Sequence, residues 1–437
     1  MADAIVIGGG FAGVTAAREL TQGGARTLLL EARERLGGRT WATRWQDTDV
    51  ELGGAWVHWH QPHVWSEITR AGLAVDVSPD ADVAAWFVGQ ERRSGTTAER
   101  DAIAERGWDR FVAGVEEALP QPHDPLVAAE LLARFDRLTI AQRLEELELT
   151  EEEHDVLAAE LESVAHGPLN EAGAVSILRW HALSGGSLAL TQFAGGRVTL
   201  RGGTGSLLDA IAAQVPFETR LAAAVAAVRQ RDGRVEVHTR DGDSLAAAVA
   251  VVAVPLNALG AIEFEPPLSE VKRAAIELGQ ASRGVKVFIR ARGEPVVQNA
   301  IKPGHPFGYL DTDVVYPDGT QLLIGFGPDA EACDPSDLPA VQRALDEILP
   351  GYEAVDATAH DWLADEFSRG TWAIHRPGWY TAYHREMQAP EGRVFLAGSD
   401  IANGWSGFMD GAIESGRRAG AAALRATSGP ARASSGS

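Results

Sequence analysis

Ala4-Ile-Val-Ile7-Gly8-Gly9-Gly10-Phe11-Ala12-Gly13 is the stretch that decides the fold of this chain. The short apolar run before the glycines predicts a strand, and the apolar spacing at 14–20 behind them predicts a helix. A second apolar run at 27–30 predicts another strand, which ends in Glu31. Strand, glycine turn, helix, strand and terminal acid are together the pattern of a dinucleotide-binding βαβ unit.

Each glycine has its own task in such a unit. Gly8 permits a tight turn, Gly10 lets the backbone approach a pyrophosphate, and Gly13 lets the helix pack closely on the strand. The helix N-terminus offers free N–H groups to phosphate, and Glu31 is placed to accept hydrogen bonds from ribose hydroxyls. The nucleotide contacts predicted in this region are Gly8, Gly10, Phe11, Ala12, Gly13, Glu31, Ala32 and Arg33.

Two further glycine turns follow. Gly37-Gly38-Arg39-Thr40 is flanked by arginines, and Gly53-Gly54-Ala55-Trp56 ends in an aromatic ring. Three glycine turns so close together indicate a large, elongated ligand pressed against the backbone. The residues expected to contact that ligand are Gly38, Arg39, Thr40, Gly53, Gly54, Ala55 and Trp56.

In these motifs the N-terminus resembles the flavin-containing amine oxidase (monoamine oxidase) family, and the resemblance implies FAD. The fold class it implies is α/β (α+β), with a Rossmann-like FAD-binding domain and a mixed sheet-plus-helices substrate domain. The FAD-binding domain is expected to be discontinuous, at 1–75, 198–270 and 388–426. The substrate-binding domain would then occupy 76–197 and 271–387, with a disordered tail at 427–437. Val225 matches the family position whose backbone holds the adenine.

The stretch from Gly398 to Ala412 is the most specific part of the resemblance, because its Trp405-Ser406-Gly407 recurs in monoamine oxidases. A predicted strand ends there in Asp400, a carboxylate suited to the ribityl hydroxyls. A helix beginning near Met409 would point its N-terminus at flavin C2=O and stabilise negative charge there. The expected cofactor contacts are Gly398, Ser399, Asp400, Ser406, Gly407, Phe408, Met409 and Ala412.

Lys286 interrupts an otherwise apolar strand pattern, where a lysine would ordinarily face solvent. The resemblance instead implies the family's active-site lysine, which holds a water beside flavin N5. It also aligns Trp372 and Phe408 with the two rings between which the amine passes, so Lys286, Trp372 and Phe408 are the expected catalytic residues. Monoamine oxidases have tyrosines at both ring positions. Loss of the phenols predicts a drier slot that prefers hydrophobic amines, secondary or cyclic, over short diamines.

Aromatic rings and three histidines are concentrated at 56–65. No carboxylate or thiol accompanies the histidines at ligand spacing, so no metal site is expected. The segment is interpreted as an aromatic wall near the substrate that includes Trp59, and a plain structural cluster is the alternative. Trp180, on a helix predicted at 174–183, is a second expected substrate contact, with a place in the core as its alternative.

The composition limits the class of function. Among 437 residues, 39 basic and 61 acidic side chains give a formal net charge of −22. This excess argues against nucleic acid and anionic membrane as partners and mildly favours cationic small molecules, although it also serves solubility alone. The one cysteine, Cys333, excludes an internal disulfide and suits a cytoplasmic protein. No signal peptide is visible, and no apolar run reaches the length of a membrane span.

The resemblance implies an FAD-dependent amine oxidase. Hydride would pass from the amine α-carbon to flavin N5, the iminium product would hydrolyse, and O2 would reoxidise the flavin with release of H2O2. An amine dehydrogenase that uses an electron-carrier protein stays open, as does an L-amino-acid oxidase, which would need Arg179 or Arg369 for the substrate carboxylate. A non-catalytic flavoprotein is the rival from a different class. A homodimer also stays open.

The FAD is expected to be noncovalent. Mammalian members of the family attach the flavin through the cysteine of a Ser-Gly-Gly-Cys-Tyr stretch. The matching stretch here is Ser368-Arg369-Gly370-Thr371-Trp372, so Thr371 stands where the thiol would be.

Overall fold

The structure of the protein is a computed structural model that describes residues 2–78, 81–294 and 298–427. Its strands are β1 (Ala4–Ile7), β2 (Thr27–Leu30), β3 (Ala42–Trp45), β4 (Thr48–Glu51), β5 (Val75–Val77), β6 (Val83–Val88), β7 (Glu91–Thr96), β8 (Val198–Leu200), β9 (Glu218–Arg220), β10 (Val225–Arg231), β11 (Arg234–Thr239), β12 (Ser244–Ala247), β13 (Val249–Val252), β14 (Glu263–Glu265), β15 (Val285–Arg292), β16 (Gln298–Ile301), β17 (Tyr309–Val315), β18 (Gln321–Gly327), β19 (Glu353–Ala359) and β20 (Val394–Leu396).

Its helices are α1 (Phe11–Gln22), α2 (Pro62–Ala71), α3 (Thr97–Phe111), α4 (Val115–Ala118), α5 (Ala129–Asp136), α6 (Ile140–Glu145), α7 (Glu151–Ala165), α8 (Ala174–Leu183), α9 (Leu188–Gly196), α10 (Gly203–Ala212), α11 (Leu256–Leu259), α12 (Glu270–Leu278), α13 (Leu338–Ile348), α14 (Trp379–Ala382), α15 (His384–Gln388) and α16 (Met409–Thr427). None of these helices is both long and apolar enough to cross a membrane.

A five-stranded parallel sheet forms the first layer, in the order β20-β13-β1-β2-β9. Its strands come from each of the three chain segments expected to build the FAD-binding domain. Helix α1 lies on this sheet, and α16 lies on α1 at the glycines of α16. A Cβ on Gly416 would stand 2.3 Å from the Ala12 carbonyl oxygen, and one on Gly420 would stand 3.0 Å from that of Ala16. The two helices therefore approach as closely as their backbones allow.

A seven-stranded mixed sheet forms the second layer, in the order β19-β15-β18-β17-β16-β6-β7. All of its strands fall in the two segments expected to build the substrate-binding domain. On β15, Val287 and Ile289 pack into one core cluster with residues of α13, whereas Phe288 belongs to a different cluster with residues of β4 and β18. This alternation is that of a sheet with two covered faces, because successive side chains point to opposite sides. The predicted mixed α/β fold class is confirmed.

The sequence pattern predicts helices at 99–119, 125–138, 140–147, 151–165 and 174–183, and the helical block follows it in part. Helices α7 and α8 begin and end as the pattern at 151–165 and 174–183 predicts, and α7 starts in a capping box formed by Thr150 and Glu153. The helix predicted over 99–119 is instead divided into α3 and α4, because Gly114 takes a left-handed conformation with φ 85°. The sequence pattern does not indicate α9. Of the predicted tail, Thr427 ends α16 and 428–437 lie outside the described residues.

The hairpin between β10 and β11 shows the turn that its sequence predicts. Asp232 and Gly233 have φ of 51° and 72°, and the two strands pair antiparallel on either side of them. Positive φ at both central residues matches the right-handed twist of the flanking strands, which is why Asp-Gly is favoured there.

Gly13 provides a test of the packing of α1 on β1. A Cβ at Gly13 would stand 1.8 Å from the Gly8 carbonyl oxygen, so Gly13→Ala should lower the melting temperature, by an overpacking cost of about 1–3 kcal/mol, and weaken FAD retention. Gly205, in α10, is the matched control because a Cβ there meets nothing within 4 Å. Gly205→Ala should leave stability unchanged or raise it by about 0.5–1 kcal/mol. Equal effects in thermal melts of the two variants would refute the packing argument.

Candidate active site

One cavity of about 560 Å³ extends between the two sheets. On one side it is lined by the residues that follow the carboxyl ends of four parallel strands: Gly8 after β1, Glu31 after β2, Ala253 after β13 and Gly398 after β20. Ligands of open parallel sheets bind at this edge, because the strand ends and helix N-termini converge there. The opposite side is lined by residues of β15, β17 and β18.

The glycine turn before α1 forms the end of the cavity that suits phosphate. Gly8, Gly9 and Gly10 line it with the first residues of α1, whose N-terminus has no side-chain cap. Gly38 lies against this turn, and a Cβ there would stand 3.3 Å from the Gly10 Cα. The helix N–H groups are uncapped, and the glycines leave the backbone open to the cavity. Such a turn can therefore bind a pyrophosphate.

Glu31 lines the cavity with its carboxylate held by backbone donors. One oxygen accepts from the N–H of Gly9 at 2.6 Å, and the other accepts from the N–H of Arg33 at 2.8 Å. A carboxylate oxygen has two lone pairs, so both oxygens can still accept bonds from ribose hydroxyls. The Arg33 side chain is directed to Asp365 at 2.8 Å and to the Ser368 hydroxyl.

Arg39 joins the glycine-rich N-terminal region to the C-terminal motif. Its guanidinium donates to the Thr371 carbonyl at 2.7 Å, to the Ser399 hydroxyl at 2.9 Å and to Asp400. The other Asp400 oxygen accepts from the N–H of Leu256 at 2.8 Å. Burial opposes ionisation of this carboxyl, but the Arg39 guanidinium holds its pKa below the ordinary value. Asp400 therefore holds Arg39, and it is not among the residues that line the cavity.

The cavity brings together most of the residues expected at the cofactor. Those that line it are Gly8, Gly10, Phe11, Ala12, Glu31, Ala32, Arg33, Gly38, Arg39, Thr40, Gly53, Gly54, Ala55, Trp56, Val225, Gly398, Ser399, Gly407, Phe408, Met409 and Ala412. Gly13, Asp400 and Ser406 do not line it. Gly13 packs on Gly8, and the buried Ser406 accepts a hydrogen bond from the Trp180 indole at its carbonyl.

Lys286 reaches the cavity from β15 and is buried. Its ammonium donates to the carbonyl oxygens of Glu51 at 2.7 Å and Gly53 at 3.0 Å, and it lies 4.9 Å from the centre of the Trp56 ring. Burial lowers the pKa of Lys286 to about 8, and the nearby carboxylates of Glu51 and Asp313 act in the opposite direction. Lys286 is therefore not the solvent-facing residue that its strand pattern alone suggests.

Trp372 and Phe408 both line the cavity, and each is supported from behind. The Trp372 indole donates to the Val164 carbonyl at 2.9 Å. The Phe408 ring meets Trp180 at 5.0 Å and Trp405 at 5.2 Å, both edge to face. Trp180, at 4% exposure, packs in the core and also lines the cavity, so its expected contact with substrate stays a prediction.

Trp59 does not line the cavity. Its side chain is 48% exposed and packs against Phe193, 5.1 Å away between ring centres, and Phe193 is the residue that lines the cavity. The neighbouring His58 ring makes local contacts, since it stacks on Trp59 and accepts from the N–H of His60. Within the described ranges, no group of three or more potential ligands is arranged to hold a metal ion.

Neither arginine considered for a substrate carboxylate lines the cavity. Arg179 is fully buried and donates to the carbonyls of Asn403 and Gly404, which fixes the loop before Phe408. Arg369 is exposed and has a positive φ of 50°. The L-amino-acid oxidase alternative loses the feature on which it depended.

Sequence reasoning missed a group of acids that line the substrate-domain end of the cavity. Asp311 and Asp313 line it from β17, together with Tyr309, and Glu160 lines it from α7. Burial raises the pKa of Glu160 to about 7 and that of Asp311 to about 6. The signal in the sequence is the pair Asp311 and Asp313, two charged residues in an otherwise strand-type run at 309–315.

The residues present fit FAD. An uncapped helix N-terminus, the Glu31 carboxylate and a cavity that continues past a second glycine turn are what an adenine dinucleotide with a further ring system requires. Helix α16 begins at Met409, which lines the same cavity. The positive end of the helix dipole can therefore face the flavin ring.

Comparison with known proteins identifies relatives along nearly the whole chain. Residues 11–424 match the family of flavin containing amine oxidoreductases. A pseudooxynicotine dehydrogenase from a Pseudomonas species is 40% identical over 427 residues, which covers 96% of this chain and 85% of the relative. The (S)-6-hydroxynicotine oxidase of Paenarthrobacter nicotinovorans is 31% identical over 445 residues, with coverage of 95% and 97%.

The fold also has a counterpart among solved structures. The cyclohexylamine oxidase of Brevibacterium oxydans IH-35A superposes with a TM-score of 0.79 at 22% identity, over 97% of this chain and 99% of that chain. At this level of identity the similarity establishes the shared fold alone.

Proposed function

The chain belongs to the flavin-containing amine oxidoreductase family and is an FAD-dependent enzyme that oxidises amines. On this premise we propose that its substrate is a hydrophobic secondary or cyclic amine, oxidised to an iminium ion that water then hydrolyses. One observation carries the proposal. A single cavity joins the nucleotide-binding glycines to Lys286 and to the aromatic residues Trp372 and Phe408.

The residues around the cavity bind, orient and desolvate the amine. Bound FAD supplies the redox chemistry, as the acceptor at N5 of a hydride from the amine α-carbon. Trp372 and Phe408 present π faces that orient the substrate, and their apolar surroundings disfavour an ammonium ion. The neutral amine, which has the free electron pair needed for oxidation, is therefore the form favoured between the rings.

The acidic end of the cavity favours a substrate with a second nitrogen. Among the described residues, no hydrogen-bond donor contacts the Glu160 carboxyl, whose pKa of about 7 lets it share a proton with a basic ring nitrogen. The relatives support this feature, because the names pseudooxynicotine and 6-hydroxynicotine denote amines joined to a nitrogen heteroaromatic ring. A short diamine would lack the apolar body needed to fill the space between the rings. We therefore propose that an apolar group separates the two nitrogens of the substrate.

Two electron acceptors are open to the reduced enzyme. The name oxidase, given to the relative from Paenarthrobacter nicotinovorans, favours O2 with release of H2O2, as the family resemblance does. The name dehydrogenase, given to the Pseudomonas relative, favours an electron-carrier protein. Lys286 bears on this choice, because a buried cation that lines the cavity would stabilise negative charge developing on bound FAD during reoxidation.

Rapid anaerobic mixing tests the proposed reaction. Cyclic and secondary amines with apolar bodies should bleach the oxidised flavin absorbance faster than putrescine does. Trp372→Ala should raise KM and slow flavin reduction, on the order of tenfold, with FAD still bound, because a cation–π contribution of roughly 0.5–2 kcal/mol is lost. A flavin that no amine bleaches would refute the proposal, and reduction of Trp372→Ala at the wild-type rate would remove Trp372 from the substrate site.

Lys286→Met tests the role of the buried cation. Reoxidation by O2 should slow on the order of 10²-fold, while FAD stays bound. In the wild type the rate should fall as pH rises through about 8, because a lysine with this lowered pKa is protonated below that pH and neutral above it. The variant should lose this pH dependence. Lys302→Met is the control, since Lys302 also lies over an aromatic ring but outside the cavity. Equal reoxidation rates in the two variants would contradict the assignment.

A matched pair of substrates tests the second nitrogen. A pyridyl-substituted secondary amine should have a KM about tenfold lower than its phenyl counterpart, the gain expected from one hydrogen bond to a charged or proton-sharing group. Glu160→Leu should abolish this difference by raising KM for the pyridyl amine only, and the phenyl amine serves as the control within the same variant. A pyridyl preference that survives in Glu160→Leu would exclude Glu160 as the contact.

A further inference from the structure

The end of α7 holds Trp372 in place. Val164, in the last turn of this helix, accepts the hydrogen bond from the Trp372 indole. His166, the residue that caps the helix, lies flat on the indole, with ring centres 4.2 Å apart and ring planes 6° apart. One helix end thus fixes both the N–H and one face of the same side chain.

The His166 backbone is itself constrained. It adopts a left-handed conformation with φ 50° and ψ 39°, which turns the chain out of α7. Its carbonyl oxygen accepts from the N–H groups of Arg283 and Gly284, both at 2.8 Å, at the start of the strand that carries Lys286. A Cβ on Gly284 would stand 2.5 Å from the His166 ring, so only glycine leaves room for the imidazole there.

Two linked hydroxyl groups, those of Thr371 and Ser282, set the orientation of the His166 ring. Its Nδ1 lies 2.8 Å from the Thr371 hydroxyl, and that hydroxyl donates to Ser282 at 2.9 Å. Because Thr371 gives its proton to Ser282, its oxygen is left to accept from an N–H at Nδ1. The imidazole cannot rotate about its Cβ–Cγ bond without breaking this contact.

We infer that His166 is a positioning residue that fixes the plane of Trp372 at the amine site, with Thr371 and Ser282 as its supports. The inference rests on the proposed function, in which Trp372 is a wall of that site. It also gives Thr371 a task of its own. At the position that matches the cysteine of mammalian monoamine oxidases, this chain has a hydroxyl that orients the imidazole against the indole.

The imidazole is neutral in this arrangement. Burial lowers the pKa of His166 to about 4, and the nearby Lys286 cation acts in the same direction. An uncharged ring places no positive charge on the indole that it stacks on, so it does not oppose the attraction of the indole for a partly positive amine nitrogen.

A double-mutant cycle on the rate of flavin reduction tests the inference. His166→Asn removes the ring but keeps a residue type that tolerates the left-handed conformation. Thr371→Val removes the hydroxyl and leaves the His166 backbone untouched. Each should slow reduction by an amine on the order of tenfold, as expected when a reacting partner is held less accurately, without loss of FAD. In the Trp372→Ala background each should change the rate by less than about twofold, because the ring that they position is gone.

The outcomes separate the possible failures. If both variants lower the melting temperature and leave flavin reduction at the wild-type rate, His166 is structural only and the inference is wrong. If their effects add to that of Trp372→Ala in full, they act by another route, and the inference is again overturned. If Trp372→Ala itself reduces normally, it is the proposed substrate site that fails.

Discussion

The rest of the structure depends on the contact between two stretches of backbone, where α1 crosses the turn at Gly8. Gly13 lies so close to the Gly8 carbonyl that no side chain fits between them. This approach sets the N-terminus of α1 at the carboxyl edge of the parallel sheet. Helix α16 packs on α1 by the same means, through Gly416, so its own first residue, Met409, reaches the same cavity. Both helix dipoles thereby serve a single ligand.

The strand β15 links this nucleotide layer to the second sheet. Its two faces are both covered, which would leave a lysine ammonium without water and at considerable cost. The carbonyl oxygens of Glu51 and Gly53 offset this cost by accepting hydrogen bonds from Lys286. The third glycine turn therefore has two tasks, since it lines the cofactor cavity and also holds the buried cation. These hydrogen bonds between the two layers both position Lys286 and stabilise its buried charge.

Hydrogen bonds to backbone carbonyl oxygens orient the aromatic walls of the site. The indoles of Trp372 and Trp180 each donate to a backbone carbonyl, at Val164 and Ser406, and Trp180 in turn meets Phe408 edge to face. Buried indole N–H groups need such partners, and each bond fixes the direction of a large ring. The apolar surface presented to the amine is thus oriented by hydrogen bonds on its far side. The acids at the other end of the cavity supply the polarity that the walls lack.

The sequence by itself determined what depends on neighbours along the chain. The βαβ unit, the ends of α7 and α8, the hairpin at Asp232-Gly233 and the presence of a lysine inside a strand are local patterns of apolar spacing, caps and glycine. Only the tertiary structure decided that Asp400 holds Arg39, that Trp59 lies outside the cavity while Glu160 lines it, and that His166 stacks on Trp372. Arg39 and Asp400 are 361 positions apart. No pattern along the chain specifies such a pair, because which groups meet is settled by how the two sheets and the helical block pack together.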